Sequence, residues 1–400
     1  MLYCIQLPDN KSIRIRKMIW SWVWRGEVSS ISPGDCRDIA VTHRAVGIVA
    51  GKSSVHPVAI DVEDCGAAYR FLMPVLAATP GVWLLTGTER LLQRPILPLA
   101  EVLRGIGAEI EWVEEGWLIR GKSFARPVET RCSTSLQRGE IGGLSLSIDA
   151  SQSSQMASAL VLAAPLLGLK TLHLTTPDIP SLPYLQMTLA LTRDWPVEIP
   201  GVTVPDTPIG AVGDWSAALF WFAYACLHPE HEYLLSPLSL ESIQGDAVIA
   251  QWFNMLGVSV CRDVVHSVST TPYIEIKAKP LETMPHLVLD VRNNLDTVPV
   301  MAALAALLPA DITFQNVRNL QYKESDRLHA LAEQLMPYAE IELSDNELRV
   351  IGKGVPAGVK PVFDTHHDHR LAMAFLLFPD AVLNDVACFE KSYPGLLEQV

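Results

Sequence analysis

Five consecutive residues, Lys323 to Arg327, carry two cations and two acids directly before a segment with the leucine spacing of a helix. Ser325 or Asp326 is the expected N-cap, which places Arg327 in the first helical turn. A cation there is disfavoured by about 0.3–1 kcal/mol, because the helix dipole is positive at this end. The cluster is therefore either a solvated face of paired charges or a site where N–H groups and Arg327 bind an anion. For this one helix we favour the solvated face, and the anion site depends on whether the pattern recurs.

Cations and hydroxyl groups stand at further predicted helix starts, where acids are usual. Arg94 immediately precedes Pro95, and proline is favoured at the first helical position. Arg370 follows Asp368 at the start of another apolar segment. In a chain of net charge −13, this recurrence predicts a cleft in which helix N-termini from two domains converge on a small polyanion. The other members of the pattern are Lys11, Ser12, Arg16, Ser153, Ser154, Gln155 and Ser181.

Bulk composition narrows the possible partners and the compartment. The 400 residues are 49% hydrophobic and 19% charged, which is typical of a protein with a large core and two or three domains. The net charge argues against nucleic acid or an anionic membrane as a partner. Seven scattered cysteines without a CxxC pair predict neither a zinc site nor a disulfide framework. With no apolar signal segment and no stretch long enough to span a bilayer, we expect a cytoplasmic protein.

Sequence motifs that hold nucleotides or catalytic metals do not occur. Neither GxxxxGK[ST] nor GxGxxG is present, so a nucleotide held by a glycine-rich loop is not expected. The dense histidine cluster is "HHDH", residues 366–369. A zinc site would need spaced ligands with their own hydrogen-bonded supports, so a polar turn or an anion site is the preferred interpretation. We predict no metal and no cofactor.

Internal repetition predicts which elements position these residues. One type of segment is a polar turn followed by an apolar, alanine-rich helix, at residues 64–78, 151–167, 213–227, 293–308 and 366–378, with a weaker copy at 9–24. A second type is a strand, a turn, an amphipathic helix and another strand, at residues 82–113, 171–199, 232–260 and 312–343. The two types alternate, which gives about six units that each resemble a split βαβ element.

Each unit pairs a helix that is apolar all round, and so buried, with an amphipathic helix that faces outward. Three units per domain is the natural grouping. The Pro/Gly-rich stretch 204–215 near the midpoint is the expected place of one crossing between domains. The segment "WSWVW", residues 20–24, alternates with the period of a strand, whereas its place in the repeat predicts a helix. We follow the repeat there.

These segments resemble the motifs of the 5-enolpyruvylshikimate-3-phosphate (EPSP) synthase family, in particular its divergent bacterial branch. They occur in the family's order over nearly the whole chain. "KESDR", "DHR" and "SSQ" are highly specific as a set, although each alone is not. The matching segments are "LTGTERLLQRPI", "SQSSQMASAL", "PSLPYL", "NLDTVP", "NLQYKESDRL", "HHDHRLAM" and "EKSYPGLLEQ".

The resemblance implies an α/β fold of two similar domains, each built from three βαβαββ units, which is the inside-out α/β barrel of enolpyruvyl transferases. The N-terminal domain would span residues 9–212, and the C-terminal domain residues 1–8 plus 213–400. The chain would cross between them near residues 8–10 and 210–214. The active site would lie in the interdomain cleft of a monomer that closes around its ligands.

The resemblance also implies a reaction of the shikimate pathway, which leads to chorismate and the aromatic amino acids. The enolpyruvyl group of phosphoenolpyruvate moves to the 5-hydroxyl of shikimate 3-phosphate, and phosphate is released, without metal or cofactor. By motif, shikimate 3-phosphate would be bound by Lys11, Ser12, Arg16, Ser153, Ser154, Gln155, Ser181, Tyr184, Asp296, Asn319 and Lys323. Phosphoenolpyruvate would be bound by Gly66, Arg94, Gln155, Arg327, His369, Arg370 and Lys391.

Addition followed by elimination needs acid–base groups within hydrogen-bond reach of the substrates. The resemblance implies Asp296 and Glu324 for this role, with Lys11 assisting and His369 supporting Glu324 or a substrate phosphate. Nearby cations lower a carboxylate pKa and burial raises it, so which of the two carboxylates is acid and which is base stays open. Viewed singly, Asp296 could instead cap the following helix, and Lys391 could be a surface lysine.

Departures from the family pattern cluster in the first 70 residues. Ile15 stands where the family has asparagine, and the acidic turn that normally follows is reduced to "SPGDCRD". Asp64 adds a carboxylate and Ala67 removes a hydroxyl near the expected phosphoenolpyruvate site. An added anion weakens the binding of an anionic substrate unless it points away. These departures raise the prospect of reduced activity or an altered inhibitor response.

Two other functions compete with this interpretation. The UDP-N-acetylglucosamine enolpyruvyl transferases share the architecture, but they present a catalytic cysteine on a loop near the position of Arg94. Here that loop is "TGTERLLQRP", without cysteine, which argues against this alternative. The second alternative is a degenerate, non-catalytic homologue that binds anions or a partner.

Overall fold

The structure is a computed structural model of the 400-residue chain. It describes residues 1–51, 55–124, 143–207, 209, 213–262, 272–281 and 284–400. The predicted crossing at 210–214 lies largely outside the described residues. Within these ranges, no helix combines the length and the hydropathy that a membrane span requires.

The chain forms two compact units. The first, which we call the C-terminal unit, comprises Met1–Lys11, Ser32–Ile39 and Thr207–Val400. The second, the N-terminal unit, comprises Ser12–Ile31 and Ala40–Asp206. The segment Ser32–Ile39 groups with the C-terminal unit, although it lies inside the predicted 9–212 domain.

Three four-stranded sheets share one topology. In each, the first two strands are parallel, the last two are antiparallel, and the spatial order is first, second, fourth, third. One helix follows the first strand and another follows the second, which is the βαβαββ unit. The N-terminal unit holds Val58–Asp61, Gly81–Thr86, Glu109–Val113 and Gly116–Gly121. The C-terminal unit holds Leu2–Gln6, Glu232–Ser236, Val258–Arg262 and Ile274–Ala278, and then His286–Asp290, Asp311–Gln315, Ala339–Leu343 and Glu347–Gly352.

Two shorter sheets begin in the same way, with a strand, a helix and a second, parallel strand. Leu144–Ile148 pairs with Leu169–Leu174 in the N-terminal unit. Val362–Phe363 pairs with Val382–Leu383 in the C-terminal unit. The α/β fold of repeated βαβ units is therefore confirmed, and two of the repeats are short in the part of the chain that the structure describes.

The helices that follow a first strand are buried on nearly all sides, as their apolar composition predicts. Val298–Leu307 packs against both other buried helices of the C-terminal unit, and Gly66–Ala77 packs against Ser154–Leu162 in the N-terminal unit. Because each of these helices starts at the carboxyl end of a strand, their N-termini face the same end of their unit. The full set is Gly66–Ala77, Ser154–Leu162, Trp215–Leu227, Val298–Leu307 and His369–Phe375.

The helices that follow a second strand include clearly amphipathic ones. Arg327–Leu335 buries its leucine face and exposes His329 and Glu333, as the spacing predicts. This group is Leu97–Gly105, Leu182–Leu191, Ile249–Met255 and Arg327–Leu335. The remaining α-helices are Lys11–Arg25, Arg37–Gly51, Glu89–Leu92 and Ala164–Leu167. Short 3-10 helices span Gly245–Val248, Leu295–Thr297, Arg318–Tyr322, Ala387–Lys391 and Leu396–Glu398.

The first candidate helix is present as Lys11–Arg25, so the prediction from the repeat is confirmed. Trp20 and Trp24 stack with ring centroids 5.7 Å apart, which is the contact that residues four apart make on one helix face. Trp24 also meets the edge of Trp195. The alternation of tryptophans in "WSWVW" therefore reflects a helical aromatic pair and not a strand.

The predicted helix start at Pro95 is wrong. The helix begins at Leu97 and carries Pro98 in its first turn. Arg94 lies in the turn between Glu89–Leu92 and Leu97–Gly105. Two prolines stand close together here, and the second one occupies the favoured position at the start of the helix.

Candidate active site

Two helix N-termini of the C-terminal unit are joined by a direct hydrogen bond. Asp214 caps Trp215–Leu227 by accepting from the Ser216 N–H at 2.9 Å. Asp368 caps His369–Phe375 by accepting from the Arg370 N–H at 2.9 Å. The Arg370 side chain then donates from Nη1 to the Ser216 carbonyl at 3.1 Å. The side chains at these helix starts therefore belong to one cluster.

Arg327 lies in this cluster with only 1% of its surface exposed, surrounded by three carboxylates. Nε and Nη2 donate to Asp368 at 2.8 and 3.0 Å, Nη1 donates to Asp296 at 2.9 Å, and Nη2 donates to Glu324 at 2.8 Å. Asp326 is the N-cap, as one of the two predicted alternatives had it. The pairing with Glu324 was expected of a solvated face, but here it is buried and extends to two acids far away in sequence.

Asp296 accepts from two cations at one oxygen atom. Lys323 Nζ and Arg327 Nη1 each lie 2.9 Å from its Oδ1. Burial raises the pKa of Asp296, but Lys323, Arg327 and Arg370 outweigh burial and hold the pKa well below its usual range. The residue lies in the 3-10 turn Leu295–Thr297, and the N-terminus of Val298–Leu307 has no side-chain cap. The alternative that Asp296 only caps this helix is therefore wrong.

Lys391 and His369 are buried beside Glu324. Lys391 is 3% exposed and its Nζ lies 3.9 Å from Glu324 Oε1, so the alternative of a surface lysine is wrong. Burial, together with the charges of Lys11 and Arg370, lowers the pKa of His369 well below its ordinary value. His369 is therefore a neutral imidazole at pH 7, and its Nδ1 has no hydrogen-bond partner among the described residues.

A further carboxyl group, Asp246, is fully buried next to this cluster. It shares a short hydrogen bond with the Ser216 hydroxyl and accepts from Asn294 Nδ2 at 3.4 Å. Burial raises the pKa of Asp246, and the charge of Asp296 adds to the rise. Asp246 therefore holds a proton more readily than Asp296, whose pKa is shifted in the opposite direction.

Lys11 is the first residue of its helix and reaches the same cluster. Its Nζ lies 2.9 Å from the Asp38 carboxylate, and both side chains are largely buried. The charge of Lys11 acts on Arg370 and His369. Asn319 lies half-buried in the 3-10 helix four residues before Lys323. In sum, the C-terminal unit gathers the predicted site residues Lys11, Asp296, Lys323, Glu324, Arg327, His369, Arg370 and Lys391.

In the N-terminal unit, Gly66 and Arg94 are in close contact. Gly66 is the first residue of Gly66–Ala77, and the Arg94 guanidinium lies over its backbone. A Cβ atom placed on Gly66 would meet Arg94 Nη1 directly and would lie 2.8 Å from Cζ. Glycine is therefore needed for the approach of this arginine to the helix N-terminus. The structure thus brings two of the predicted site residues together.

Arg70 links the Gly66 turn to the predicted substrate residue Gln155. It is buried, and it donates to Gln155 Oε1 at 2.8 Å, to the Pro95 carbonyl at 3.0 Å and to the Gly66 carbonyl at 3.4 Å. One arginine thus holds the glutamine side chain, the helix start and the turn that carries Arg94.

The predicted serines surround the starts of two helices of the N-terminal unit. Ser153 caps Ser154–Leu162 by accepting from the Gln155 N–H at 3.3 Å. Ser154 donates through its hydroxyl to the Ser181 carbonyl at 3.1 Å. Ser181 precedes Leu182–Leu191 with a φ of 57° and makes no side-chain capping bond. The expectation that Ser181 is a hydroxyl cap is therefore wrong.

Arg16 and Tyr184 lie together in the same unit. Arg16 donates from Nε to the Thr188 hydroxyl at 2.8 Å and from Nη1 to the Ser12 carbonyl at 2.9 Å. Its guanidinium lies 5.8 Å from the Tyr184 ring centroid and 4.8 Å from that of Phe71. Burial lowers the pKa of Arg16 to about 10, which leaves it charged at neutral pH.

The three departures from the family pattern occupy different environments. Ile15 is buried in its helix. Asp64 and Ala67 flank Cys65 and Gly66, and Cys65 is the N-cap of Gly66–Ala77, accepting from the Ala68 N–H at 3.5 Å. Asp64 therefore stands two residues before the glycine that receives Arg94.

Sequence reasoning missed several residues that organise these clusters. Asp368, within "HHDH", had no predicted role, although it is the N-cap of its helix and the main partner of Arg327. Arg70 could have been recognised from the sequence as a functional candidate, because it is a single charged residue inside an apolar helix. A buried charge needs a partner. Asp38 and Asp246 carried no signal of comparable strength in the sequence. Among the described residues, no group of three or more His, Cys, Asp or Glu residues could hold a metal ion.

Comparison of the sequence with known proteins shows a family to which it is similar. The sequence model of the family described as EPSP synthase (3-phosphoshikimate 1-carboxyvinyltransferase) matches residues 39–400. A 3-phosphoshikimate 1-carboxyvinyltransferase of Bacteroides fragilis is 32% identical over 98% of this chain and 92% of its own length. Another, from Dehalococcoides mccartyi, is 26% identical over 99% of this chain and 94% of its own length.

Solved structures agree on the fold. An EPSP synthase from Acinetobacter baumannii superimposes with a TM-score of 0.65 at 19% identity, over 100% of this chain and 94% of its own. The enolpyruvyl transferase NikO from Streptomyces tendae gives a TM-score of 0.62 at 14% identity, over 99% and 93% of the two chains. Since the family model spans most of the sequence and the Bacteroides relative is similar over nearly all of it, the chain belongs to the EPSP synthase family.

Proposed function

We propose that this chain transfers the enolpyruvyl group of phosphoenolpyruvate to the 5-hydroxyl of shikimate 3-phosphate and releases phosphate. One observation carries the proposal. In a chain of this family, Lys323, Arg370 and Lys391 gather around the carboxylates of Asp296 and Glu324. Both substrates carry a phosphate and a carboxylate, which are the groups that cations and helix N-termini bind.

Arg370 and Arg327 lie in different environments, which supports different roles for them in binding phosphoenolpyruvate. Arg370 has a buried Nε with no hydrogen-bond partner among the described residues, so it has a donor to offer a ligand. Arg327 directs four N–H bonds to carboxylates, and an arginine has five. Its larger contribution in the proposal is therefore to hold Asp296 and Glu324 in place. Gly66, Arg94, Gln155, His369 and Lys391 complete the proposed set.

Shikimate 3-phosphate is assigned mainly to hydroxyl and amide groups. Ser153, Ser154 and Gln155 stand at one helix start, where N–H groups and hydroxyls suit a phosphate. Arg16 stays charged close to the Tyr184 ring. The remaining residues of this assignment are Lys11, Ser12, Ser181, Asp296, Asn319 and Lys323.

In the proposed reaction, Asp296 takes the proton of the 5-hydroxyl, because its lowered pKa keeps it ionised at neutral pH. The 5-oxygen forms a bond to the central carbon of phosphoenolpyruvate while Glu324, in its protonated form, delivers a proton to the methylene carbon. The resulting methyl group then returns a proton to Glu324 as the bond between the central carbon and the phosphate oxygen breaks. Phosphate leaves with the proton that Asp296 took, and the enol ether remains. The cations neutralise charge on the departing phosphate.

The absence of a cysteine in "TGTERLLQRP" argues against the UDP-N-acetylglucosamine reaction. A non-catalytic homologue that only binds anions does not require two carboxylates among four cations at one site. Burying such charges costs free energy unless they are paired, and functional sites are where perturbed carboxylates concentrate.

The test is a phosphate-release assay with purified protein and phosphoenolpyruvate, with either shikimate 3-phosphate or UDP-N-acetylglucosamine as the acceptor. We expect release only with shikimate 3-phosphate, together with one enolpyruvyl group added to that acceptor by mass spectrometry. Release with the UDP-sugar alone would support the rival enzyme. If the protein releases no phosphate with either acceptor, although its cooperative unfolding shows that it is folded, the non-catalytic homologue would be supported.

The assembly and the compartment belong to the same proposal. We propose a monomer that works in the cytoplasm on small-molecule substrates, without nucleic acid or membrane partners. Sedimentation velocity with and without both substrates tests the monomer. A concentration-dependent dimer would contradict it.

A further inference from the structure

We infer that Asp38 is a positioning residue for Lys11, whose ammonium group it holds at the substrate site in the charged form. Lys11 Nζ lies 2.9 Å from Asp38 Oδ2, with 14% and 6% of the two side chains exposed. Asp38 comes from the segment Ser32–Ile39, which groups with the C-terminal unit together with Lys11. The inference rests on the proposed function only in that Lys11 contacts the substrates.

The surroundings of Lys11 explain why it needs a counter-charge. The titratable and charged groups that act on it are Asp38, Cys36 and Arg370, and the neutral ring of His369 senses its charge. Burial and the positive charge of Arg370 both favour loss of the proton from Lys11. Asp38 opposes both effects through an ion pair and a hydrogen bond, and the net result is a raised pKa for Lys11.

Cys36 does not take over this role. Burial raises the pKa of its thiol to about 11, so Cys36 is neutral across the physiological range. Within the described residues, Asp38 is therefore the carboxylate whose direct ion pair with Lys11 the structure shows. The short turn "SPGDCRD", which looks reduced beside the family pattern, keeps this acid two residues after Cys36.

Asp38→Asn removes the charge and keeps the shape of the side chain. We expect the alkaline limb of the kcat/KM profile for phosphoenolpyruvate to move to lower pH by about one unit or more, as for the loss of an opposite charge within a few ångströms. The kcat profile should move less, because bound substrate anions then stabilise the ammonium group. Asp38→Glu should restore most of the wild-type profile.

Two comparisons separate positioning from general damage. Asp35→Asn removes an acid from the same turn, where its carboxylate accepts the Ser32 N–H at 2.7 Å, and it should leave the profile unchanged. In a Lys11→Arg background, Asp38→Asn should not move the alkaline limb, because arginine stays charged. An equal shift in both backgrounds would overturn the inference.

Direct titration of Lys11 makes the test independent of turnover. The Cε resonance of Lys11 in protein labelled with [ε-13C]lysine, assigned through Lys11→Arg, should titrate above the ordinary lysine pKa in the wild type and clearly lower in Asp38→Asn. If it titrates at or below the ordinary value in the wild type, Asp38 does not have this role. A shifted titration in protein that is inactive on both named substrates would overturn the proposed function alone. If Asp38→Asn lowers the unfolding free energy but changes neither the kcat/KM profile nor the Lys11 titration, Asp38 only stabilises the fold and the inference is wrong.

Discussion

At the scale of single residues, Arg327 and Arg370 lie in different environments, although both were predicted to bind phosphoenolpyruvate. Arg327 is held by three carboxylates, those of Asp296, Glu324 and Asp368. The Arg370 side chain donates from Nη1 to a backbone carbonyl, and its Nε has no hydrogen-bond partner among the described residues. An arginine saturated by carboxylates orients those carboxylates. We therefore expect its loss to affect stability at least as much as substrate binding.

Arg327→Gln tests this division. Removing the cation breaks the fully buried pair with Asp368 and takes one cation away from Asp296 and Glu324. Breaking a buried pair in this way costs roughly 3–5 kcal/mol. We expect a loss of unfolding free energy of this order in urea denaturation. The matched control is Arg349→Gln, which also removes an arginine between two acids, Asp311 and Glu342, but at a site where the side chain is 34% exposed. That control should lose much less unfolding free energy, because solvent screens exposed ion pairs, and equal losses in the two variants would contradict the account.

Asp296→Asn tests the proposed base. The amide cannot accept the hydroxyl proton, so kcat should fall by about two to four orders of magnitude while shikimate 3-phosphate still binds. Steady-state kinetics and calorimetry measure the two effects. Asp311→Asn serves as the control, because Asp311 is likewise paired with an arginine, at 2.8 Å, and belongs to no proposed site. If Asp296→Asn turned over at the wild-type rate, its role would be wrong.

Whether a site residue could be predicted from the sequence depends on whether its partners lie near it in the sequence. The cations stood out because each breaks the usual charge preference of a helix start. Asp368, Arg70 and Asp38 act through partners that are distant in sequence, such as Arg327, Gln155 and Lys11. Pairing of this kind is set by the sheet topology, and no local pattern reveals it.

At the scale of elements, the start of Gly66–Ala77 shows how a helix N-terminus and a cation are combined. The backbone N–H groups and the dipole alone would attract an anion, and the absence of a side chain at Gly66 allows Arg94 to join them. The same element carries Arg70, whose bonds to Gln155 and the Pro95 carbonyl hold the neighbouring turn.

Gly66→Ala should displace the Arg94 guanidinium, because a Cβ there meets its Nη1 and lies 2.8 Å from Cζ. The clash is with the end of a flexible side chain, so we expect KM for phosphoenolpyruvate to rise several-fold or more with little change in unfolding free energy. Gly47→Ala is the control, since nothing lies within 4 Å of its added Cβ. That variant should keep KM unchanged and gain up to about 1 kcal/mol of stability, because alanine is favoured over glycine in a helix. An unchanged KM in Gly66→Ala would remove Arg94 from the substrate site.

Element type was predictable where composition and repeat agreed. The buried helices were expected from their all-round apolar sequences, and the first helix from its place in the repeat. Errors arose at element ends. A helix start was predicted at Pro95, whereas the helix begins at Leu97 with Pro98 in its first turn. Ser181 was expected to cap through its hydroxyl, but its backbone is left-handed and its side chain makes no capping bond. Both depend on the backbone path of a turn, which side-chain type alone does not determine.

At the scale of the whole molecule, the repeated unit explains why functional residues far apart in sequence recur at equivalent places. The carboxyl end of each first strand leads into a buried helix, so every repeat offers one helix start to its unit's cluster. Repetition in the sequence made this predictable. The resemblance implies that residues 1–8 belong to the C-terminal domain, and Leu2–Gln6 lies in one sheet with strands after residue 231. The grouping of Ser32–Ile39 with the C-terminal unit could not be foreseen, because it depends on contacts between distant segments.

The central claim is that the cations around Asp296 and Glu324 bind the acidic substrates. A crystal structure of the Asp296→Asn variant with shikimate 3-phosphate and phosphoenolpyruvate bound tests this claim most directly. We predict that Arg370 and Lys391 both contact the phosphoenolpyruvate molecule, which lies beside Glu324. A complex in which that molecule contacts neither cation, or binds away from positions 296 and 324, would contradict the account.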